Sequence, residues 1–342
     1  MPNRDYDHGH RATSPWQMPG RAWKDIARRT LARTWQDNVG LVAAGVTYYG
    51  FLALVPLLGI IVMLYGIFAD PTTVASNVRA ITTILPPDVA MLIADQLIAA
   101  IKVTRETSGL GIVVALLIAL YGGTNGASAI ITALNIAYEE KEKRSLGRYY
   151  LVAAVMTVAA VIVAVSALAA TTTLAFLGNL APDASPFLVF AVKIAGYFGL
   201  TIAAAAVAAT LYRFVPSRED ARWEWITPGS LFAAITWLLL SLLLSFYATT
   251  ITDYDATYGS LGTIIVLLTW IYLSAYALVF GAELNSEIEH QTAVDSTTGA
   301  PLPMGQRGAW AADHVADGDE PKREEAPSLA EATPDAPKAK TS

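Results

Sequence analysis

Six stretches of this chain run long and apolar with almost no charge, and everything else is arranged between them. The last is the plainest: no charged residue occurs between Asp255 and Glu283. Roughly 20 apolar residues rising ~1.5 Å each cross a hydrocarbon layer ~30 Å thick. A soluble core helix of that length would carry a polar stripe, and this run has none. The pattern predicts spans at 39–69, 109–137, 149–178, 187–212, 227–250 and 259–285. Residues 70–108 are too polar to span, and Pro86-Pro87 divides them. After that break Val89, Leu92, Ile93, Gln96, Leu97, Ala100 and Ile101 recur on one face, predicting a helical hairpin packed on the outer surface. Ahead of the first span, Trp23, Ile26, Ala27, Thr30, Leu31 and Thr34 recur at helical steps. Arg21, Lys24, Arg28 and Arg29 fall largely on the other faces. This predicts a basic amphipathic helix over 21–38, lying in the headgroup layer of an anionic leaflet. Residues 1–20 and the acidic, Pro-rich 289–342 show no periodicity and read as disordered. The expected fold is an all-α polytopic membrane protein. It has six transmembrane helices and an outward-facing amphipathic helical hairpin between spans 1 and 2.

Composition sharpens this picture. The 342 residues are 54% hydrophobic and 15% charged, against about 25% charged in soluble domains. The chain has no cysteine, which excludes disulfides, thiolate metal sites and cysteine nucleophiles. No short apolar segment follows Met1, so membrane insertion is expected to begin with the first span. Basic residues are lopsided. Arg4, Arg11, Arg21, Lys24, Arg28, Arg29 and Arg33 precede the first span; Lys141, Lys143, Arg144 and Arg148 lie in the 138–148 loop; Arg213, Arg218 and Arg222 lie in the 213–226 loop. On the other side only the hairpin carries any (Arg79, Lys102 and Arg105). The positive-inside rule then puts both termini in the cytoplasm.

Catalytic chemistry finds little to stand on. The four histidines, His8, His10, His290 and His314, lie in or beside the tails, and no GxSxG, HExxH or phosphate-binding loop occurs. No catalytic residue, metal ligand or cofactor is therefore assigned, and no nucleic-acid partner. Polar groups within the spans are the better lead, because each is costly in hydrocarbon unless paired or hydrated. Asn125 sits among Gly122, Gly123 and Gly126. These glycines either break the helix, exposing backbone to a ligand, or let a neighbouring helix approach. Pro56 is expected to kink the first span. Lys193 lies inside the fourth span, within snorkelling reach of the outer surface or of an anionic headgroup. Thr47, Tyr48 and Tyr49 either line a polar cavity or bond across helices. Arg213 and Glu283, near the ends of their spans, are expected to form a structural ion pair. Tyr48, Asn125 and Lys193 are the expected ligand contacts.

Several of these segments carry a family likeness. Ala43-Ala44-Gly45-Val46-Thr47-Tyr48-Tyr49 with Pro56, Ala133-Leu134-Asn135-Ile136-Ala137-Tyr138 and Tyr212-Arg213-Phe214-Val215-Pro216 are three. The fourth pairs Tyr254-Asp255-Ala256-Thr257-Tyr258-Gly259-Ser260-Leu261-Gly262 with Gly281-Ala282-Glu283-Leu284-Asn285. Over about residues 22–288 the chain resembles the YihY/BrkB family of bacterial inner-membrane proteins. The resemblance implies six spans with cytoplasmic ends. It also brings a "ribonuclease BN" label carried by some members, which these residues do not support, and virulence or serum-resistance labels carried by others. The expected function is the movement or gating of an amphiphilic or anionic envelope component, with membrane lipids as partners. The alternative is a non-transporting scaffold for envelope proteins. Oligomeric state is not legible.

Overall fold

The structure is a computed structural model that describes residues 8–66, 109–179, 185–250 and 261–316. Among these the chain is helical, its one β-type contact being an isolated antiparallel bridge between Ala221 and Thr297. A 3₁₀ turn, Pro15–Gln17, leads into α1, Gly20–Gln36. Six long helices follow: α2, Val39–Gly66; α3, Gly109–Ala137; α4, Leu146–Asn179; α5, Pro186–Phe214; α6, Trp223–Thr250; and α7, Leu261–His290. A single turn, α8, Trp310–Asp313, completes them. Among the described residues, Leu146–Ser166, Phe187–Phe214, Trp223–Tyr247 and Ile264–His290 are long and apolar enough to cross a membrane. Val39–Leu54 is a shorter apolar helix. The hairpin expected at 70–108, and residues 67–69 and 259–260 of the expected spans, lie outside the described residues.

Local chemistry explains the helix ends. Ser185 caps α5, its hydroxyl accepting from the Leu188 N–H at 3.3 Å, and Pro186 occupies the first turn, where a missing N–H costs nothing. Asn38 turns the chain from α1 into α2 at φ 50°, a left-handed conformation that asparagine tolerates better than most residues. Glu139 holds φ 56° just beyond α3, closing that helix with a bond from the Glu140 N–H to the Asn135 carbonyl at 2.8 Å.

Helix α2 packs along α3 and α7, α6 along α7 and α5, and α4 along α3. The main core joins Val39, Ala43 and Val46 of α2 to Ile131 and Leu134 of α3, Tyr212 of α5 and Ala282 of α7. The helices close on small residues. A Cβ at Gly281 would sit 2.7 Å from the Gly229 carbonyl, and one at Gly229 would sit 2.2 Å from the Gly281 carbonyl, so α6 and α7 touch through their backbones. The starts of α2, α4 and α6 and the ends of α3, α5 and α7 gather at one pole with most of the described charged residues. We call it the charged pole.

Three expectations are corrected here. The glycines at 122, 123 and 126 do not break α3, which is helical from Gly109 to Ala137. A Cβ at Gly126 would meet Ala53 Cβ at 3.1 Å, and one at Gly123 would meet Thr157 Cγ2 at 2.4 Å. Close packing against α2 and α4 thus offsets the ~1 kcal/mol per glycine that helix propensity costs. Helix α2 continues through Pro56, as a proline-kinked helix does. Residues 8–19 are folded rather than disordered, with Ala12 and Met18 buried against Ala22, Ile26, Trp225 and Ile288. Residues 291–316 are folded as well. They form a strap across the charged pole: the Thr298 N–H donates to the Asp220 carbonyl (2.9 Å), Arg222 N–H to Ser296 (2.9 Å), and Ala293 N–H to His10 (2.8 Å). Arg307 fastens the strap by donating to the carbonyls of Ala312 (2.6 Å) and Ala293 (2.9 Å).

Candidate functional site: a sealed polar cluster at the charged pole

The charged pole buries an unusual density of polar side chains, because loops and helix ends from every long helix meet there. The loop after α5 delivers Arg218, whose side chain and that of Glu289 on α7 are both fully buried, 2.7 Å apart. Glu289 also accepts from Ser296 Oγ at 2.8 Å. The Arg218 guanidinium lies over the Tyr138 ring with its carbon 4.4 Å from the centroid. Burial works against the Arg218 charge, and Glu289, Tyr138 and Glu140 together outweigh it. The Tyr138 phenol, also buried, is pushed well above its ordinary range by desolvation. Asn135, one turn back on α3, accepts from the Ser217 N–H at 2.8 Å and donates to Glu142 at 3.1 Å. Glu142 is clamped by Arg144, whose hydrogen bonds hold its carboxyl down at about 2.

Asn285 does similar work for α6. Its side chain accepts from the Gly229 N–H at 2.7 Å and donates to the Ile226 carbonyl at 3.0 Å. Those bonds flank Pro228, which cannot donate. Tyr212 Oη donates to the Leu278 carbonyl at 2.7 Å. A second group ties α1 to α7. Arg29 bonds Glu287 Oε2 at 2.6 Å and Gln291 Oε1 at 2.6 Å, and Arg33 reaches both Glu139 and Glu287. Trp310 of α8 stacks on His314, meets His290 at a tilt and donates its backbone N–H to Glu140 at 2.6 Å.

Not every buried group in the cluster is satisfied. Glu283 Oε1, Tyr138 Oη, and Nε and Nη1 of Arg218 meet no hydrogen-bond partner. Buried polar groups without partners are rare in native proteins, and each carries a desolvation cost.

The expected pair of Arg213 and Glu283 does not form. Arg213 lies 3.9 Å from Asp220 and is stacked on Trp223 and Phe214, at 4.6 and 5.3 Å. Glu283 feels the charges of Asp37, Glu287, Glu139 and Arg33 instead. Both residues are near helix ends at the same pole, but two aromatic rings take up the Arg213 guanidinium.

Tyr48, Asn125 and Lys193 are all exposed on the bundle. Gly126 packs on the Tyr49 carbonyl and Gly50, which sets Asn125 at the level of Tyr48 and Tyr49. Lys193 is on α5, which packs chiefly along α6, so the structure does not bring it to the other two. Thr47 is buried and bonds back to the Ala43 carbonyl at 2.7 Å. Arg218, Glu287, Glu289, Arg29 and Arg33 went unassigned in the sequence, since their partners lie far away along the chain. Asn135, Tyr138, Tyr212 and Asn285 stood in the motif segments, and that clustering was the available signal.

The profile of the family described as virulence factor BrkB matches residues 30–303. The chain belongs to that family. Its relatives include the ribonuclease-like protein YfkH of Bacillus subtilis, 35% identical over 171 residues, covering 49% of this chain and 62% of that one. A UPF0761 membrane protein of Albidiferax ferrireducens is 25% identical over 79% of this chain and 65% of its own length. The UPF0761 membrane protein IL2447 of Idiomarina loihiensis is 27% identical over 78% of this chain and 94% of its own. The alignments thus span under two thirds of the first two relatives. No solved structure matches the chain. The BrkB-family chain is therefore a membrane protein with several helices suited to crossing a bilayer. Its motif residues serve the charged pole: Asn135 and Asn285 by pinning backbone, Tyr212 by tying α5 to α7, and Tyr138 by backing Arg218.

Proposed function

We propose that this BrkB-family protein crosses the plasma membrane six times, with both termini and the charged pole in the cytoplasm. In this reading it moves or gates an amphiphilic or anionic component of the cell envelope. The observation that carries the reading is the exposure of Asn125 and Lys193 on otherwise apolar helix surfaces. Lys193 stands among Phe190, Val192 and Ile194, which are exposed too. A cation and a carboxamide left bare in hydrocarbon are each costly, the more so the deeper they lie. A headgroup travelling along the bundle with its tails in the lipid offsets that cost and leaves no permanent aqueous pore. Tyr48, level with Asn125, adds a hydroxyl to the same route. The strap and the buried Arg218–Glu289 pair close the inner end.

The test is lipid exchange. Purified protein is reconstituted into vesicles holding a fluorescent anionic phospholipid, and externally added dithionite reports how fast inner-leaflet label reaches the outer face. The reading predicts faster bleaching than in protein-free vesicles, slowed by Asn125→Leu and by Lys193→Leu. Bleaching at the protein-free rate sinks it. A scaffold is the second reading, favoured by the bare apolar length of α5 from Phe187 onward, a surface on which a partner's helix could pack. It predicts stoichiometric co-purification of an envelope protein and no lipid exchange.

A further inference from the structure

Four of the five cations of α1 fall into two sets that the sequence alone does not separate. Arg29 and Arg33 turn inward and are occupied by Glu287, Gln291 and Glu139. Lys24 and Arg28 are exposed on the opposite side, on one stripe with Leu31 and Trp35 at steps of three and four residues. Leu31 is 55% exposed and Trp35 81%. The buried face (Ala22, Ile26, Thr30 and Thr34) lies directly behind this stripe. No acidic residue of α1 is exposed, and Asp25, its one acid, is half-buried beside His8 at 3.3 Å. The stripe also changes along its length, cationic at its start and apolar where it approaches α2, whose Leu41 is 76% exposed. A helix lying wholly in water has no use for a bare tryptophan and leucine on the face turned from the protein.

We propose that the Lys24–Arg28–Leu31–Trp35 stripe is a docking surface for the headgroups of an anionic lipid leaflet. Lys24 and Arg28 bind lipid phosphates, while Leu31 and Trp35 enter the acyl boundary. Charge complementarity commits the surface to anionic lipid: a zwitterionic headgroup supplies no net charge to the cationic half, and an acidic soluble protein supplies no apolar phase for Trp35. The inward face of α1 carries Arg29 and Arg33 to Glu287, so headgroups docked outside are one helix width from the polar cluster. The proposal stands apart from lipid movement, since a non-transporting scaffold could hold its leaflet in the same way.

The absence of cysteine makes the test clean. The full chain carrying Leu31→Cys is labelled with an environment-sensitive NBD fluorophore. It is reconstituted in vesicles of phosphatidylcholine alone or mixed with phosphatidylglycerol. The expected result is a blue-shifted emission and iodide quenching reduced at least about threefold in the anionic vesicles at low salt. That difference shrinks in high salt, as screening requires, and disappears in Lys24→Gln/Arg28→Gln. Three results overturn the proposal: equal quenching in both lipids, strong quenching in both, or a lipid dependence unchanged by the double substitution. Circular dichroism and gel-filtration profiles of the double variant matching those of the parent establish that lost lipid dependence is not lost folding.

Discussion

Replacing Arg218 by methionine is the sharpest perturbation of the charged pole. Methionine keeps most of the stem against Tyr138 and removes the guanidinium, leaving the fully buried Glu289 facing only Ser296. Two charges brought together out of water roughly offset their own desolvation, whereas one charge left behind does not. Removing one partner of such a pair costs about 3–5 kcal/mol. Glu289→Gln leaves Arg218 as the uncompensated charge and should cost a similar amount, eased where the guanidinium keeps its stacking on the ring at 4.4 Å. The double variant Arg218→Met/Glu289→Gln buries no charge, so it should cost less than the two singles added together. The cycle should then yield a coupling of about 2–3 kcal/mol, the upper end for contacting residues. Reversible unfolding of the purified protein in mixed micelles, titrated with sodium dodecyl sulfate, reads each value. Singles that cost less than about 1 kcal/mol, or a double variant no better than the sum of the singles, would refute the claim that this pair is sealed from water.

Other outcomes follow from the same geometry. Gly281→Ala puts a Cβ 2.5 Å from Tyr212 Oη and 2.7 Å from the Gly229 carbonyl, and should cost at least the ~1–3 kcal/mol of overpacking. Gly45→Ala meets nothing within 4 Å and should be neutral or stabilising by up to ~1 kcal/mol in the same titration. Arg307→Ala releases the carbonyls of Ala293 and Ala312, so limited chymotrypsin digestion should cut the strap at Leu302 or Trp310 faster than in the parent, with the helices intact. The Glu142 carboxyl, held down to about 2 chiefly by its Arg144 hydrogen bond, contributes stability that is present above its unfolded pKa of ~4.3. That contribution is lost as pH falls from there toward 2. Hydrogen-exchange protection in the 138–148 loop, taken relative to the intrinsic rate at each pH, should fall over that window, and Glu142→Gln should remove that change.

How much of this was legible in the sequence varies from residue to residue. Hydrophobic runs announce themselves locally, so the positions of long helices could be read without knowing any neighbour. Gly122, Gly123 and Gly126 read equally as a break or as a close helix approach, because the contacts that decide it, with Thr157 and Ala53, come from other helices. Arg213 and Glu283 share a depth, and depth alone does not show that Trp223 and Phe214 lie against the arginine. The strap was hidden for the same reason. Its Pro-, Gly- and Thr-rich composition has no periodicity, and its order comes from bonds to Asp220, Arg222 and His10. Burial of Arg218 and Glu289 was likewise invisible, because both sit in segments that look like charged loop and tail. The motif segments were the one local pointer to that pole, and they mark it through packing and backbone hydrogen bonds as much as through charge.

The central proposal, a polar route along the bundle surface closed at the charged pole, is tested most directly by single cysteines in this cysteine-free chain. Cysteine replaces Asn125, Lys193 or, as a buried control, Thr47, and intact cells are treated with a membrane-impermeant thiol reagent. The account predicts labelling at 193 and at 125 from the outside, slowed by added anionic amphiphile, and none at 47. If 125 and 193 both stay unlabelled in intact cells and in inverted vesicles, no hydrated headgroup route passes those residues, and the proposed movement of an amphiphile is wrong.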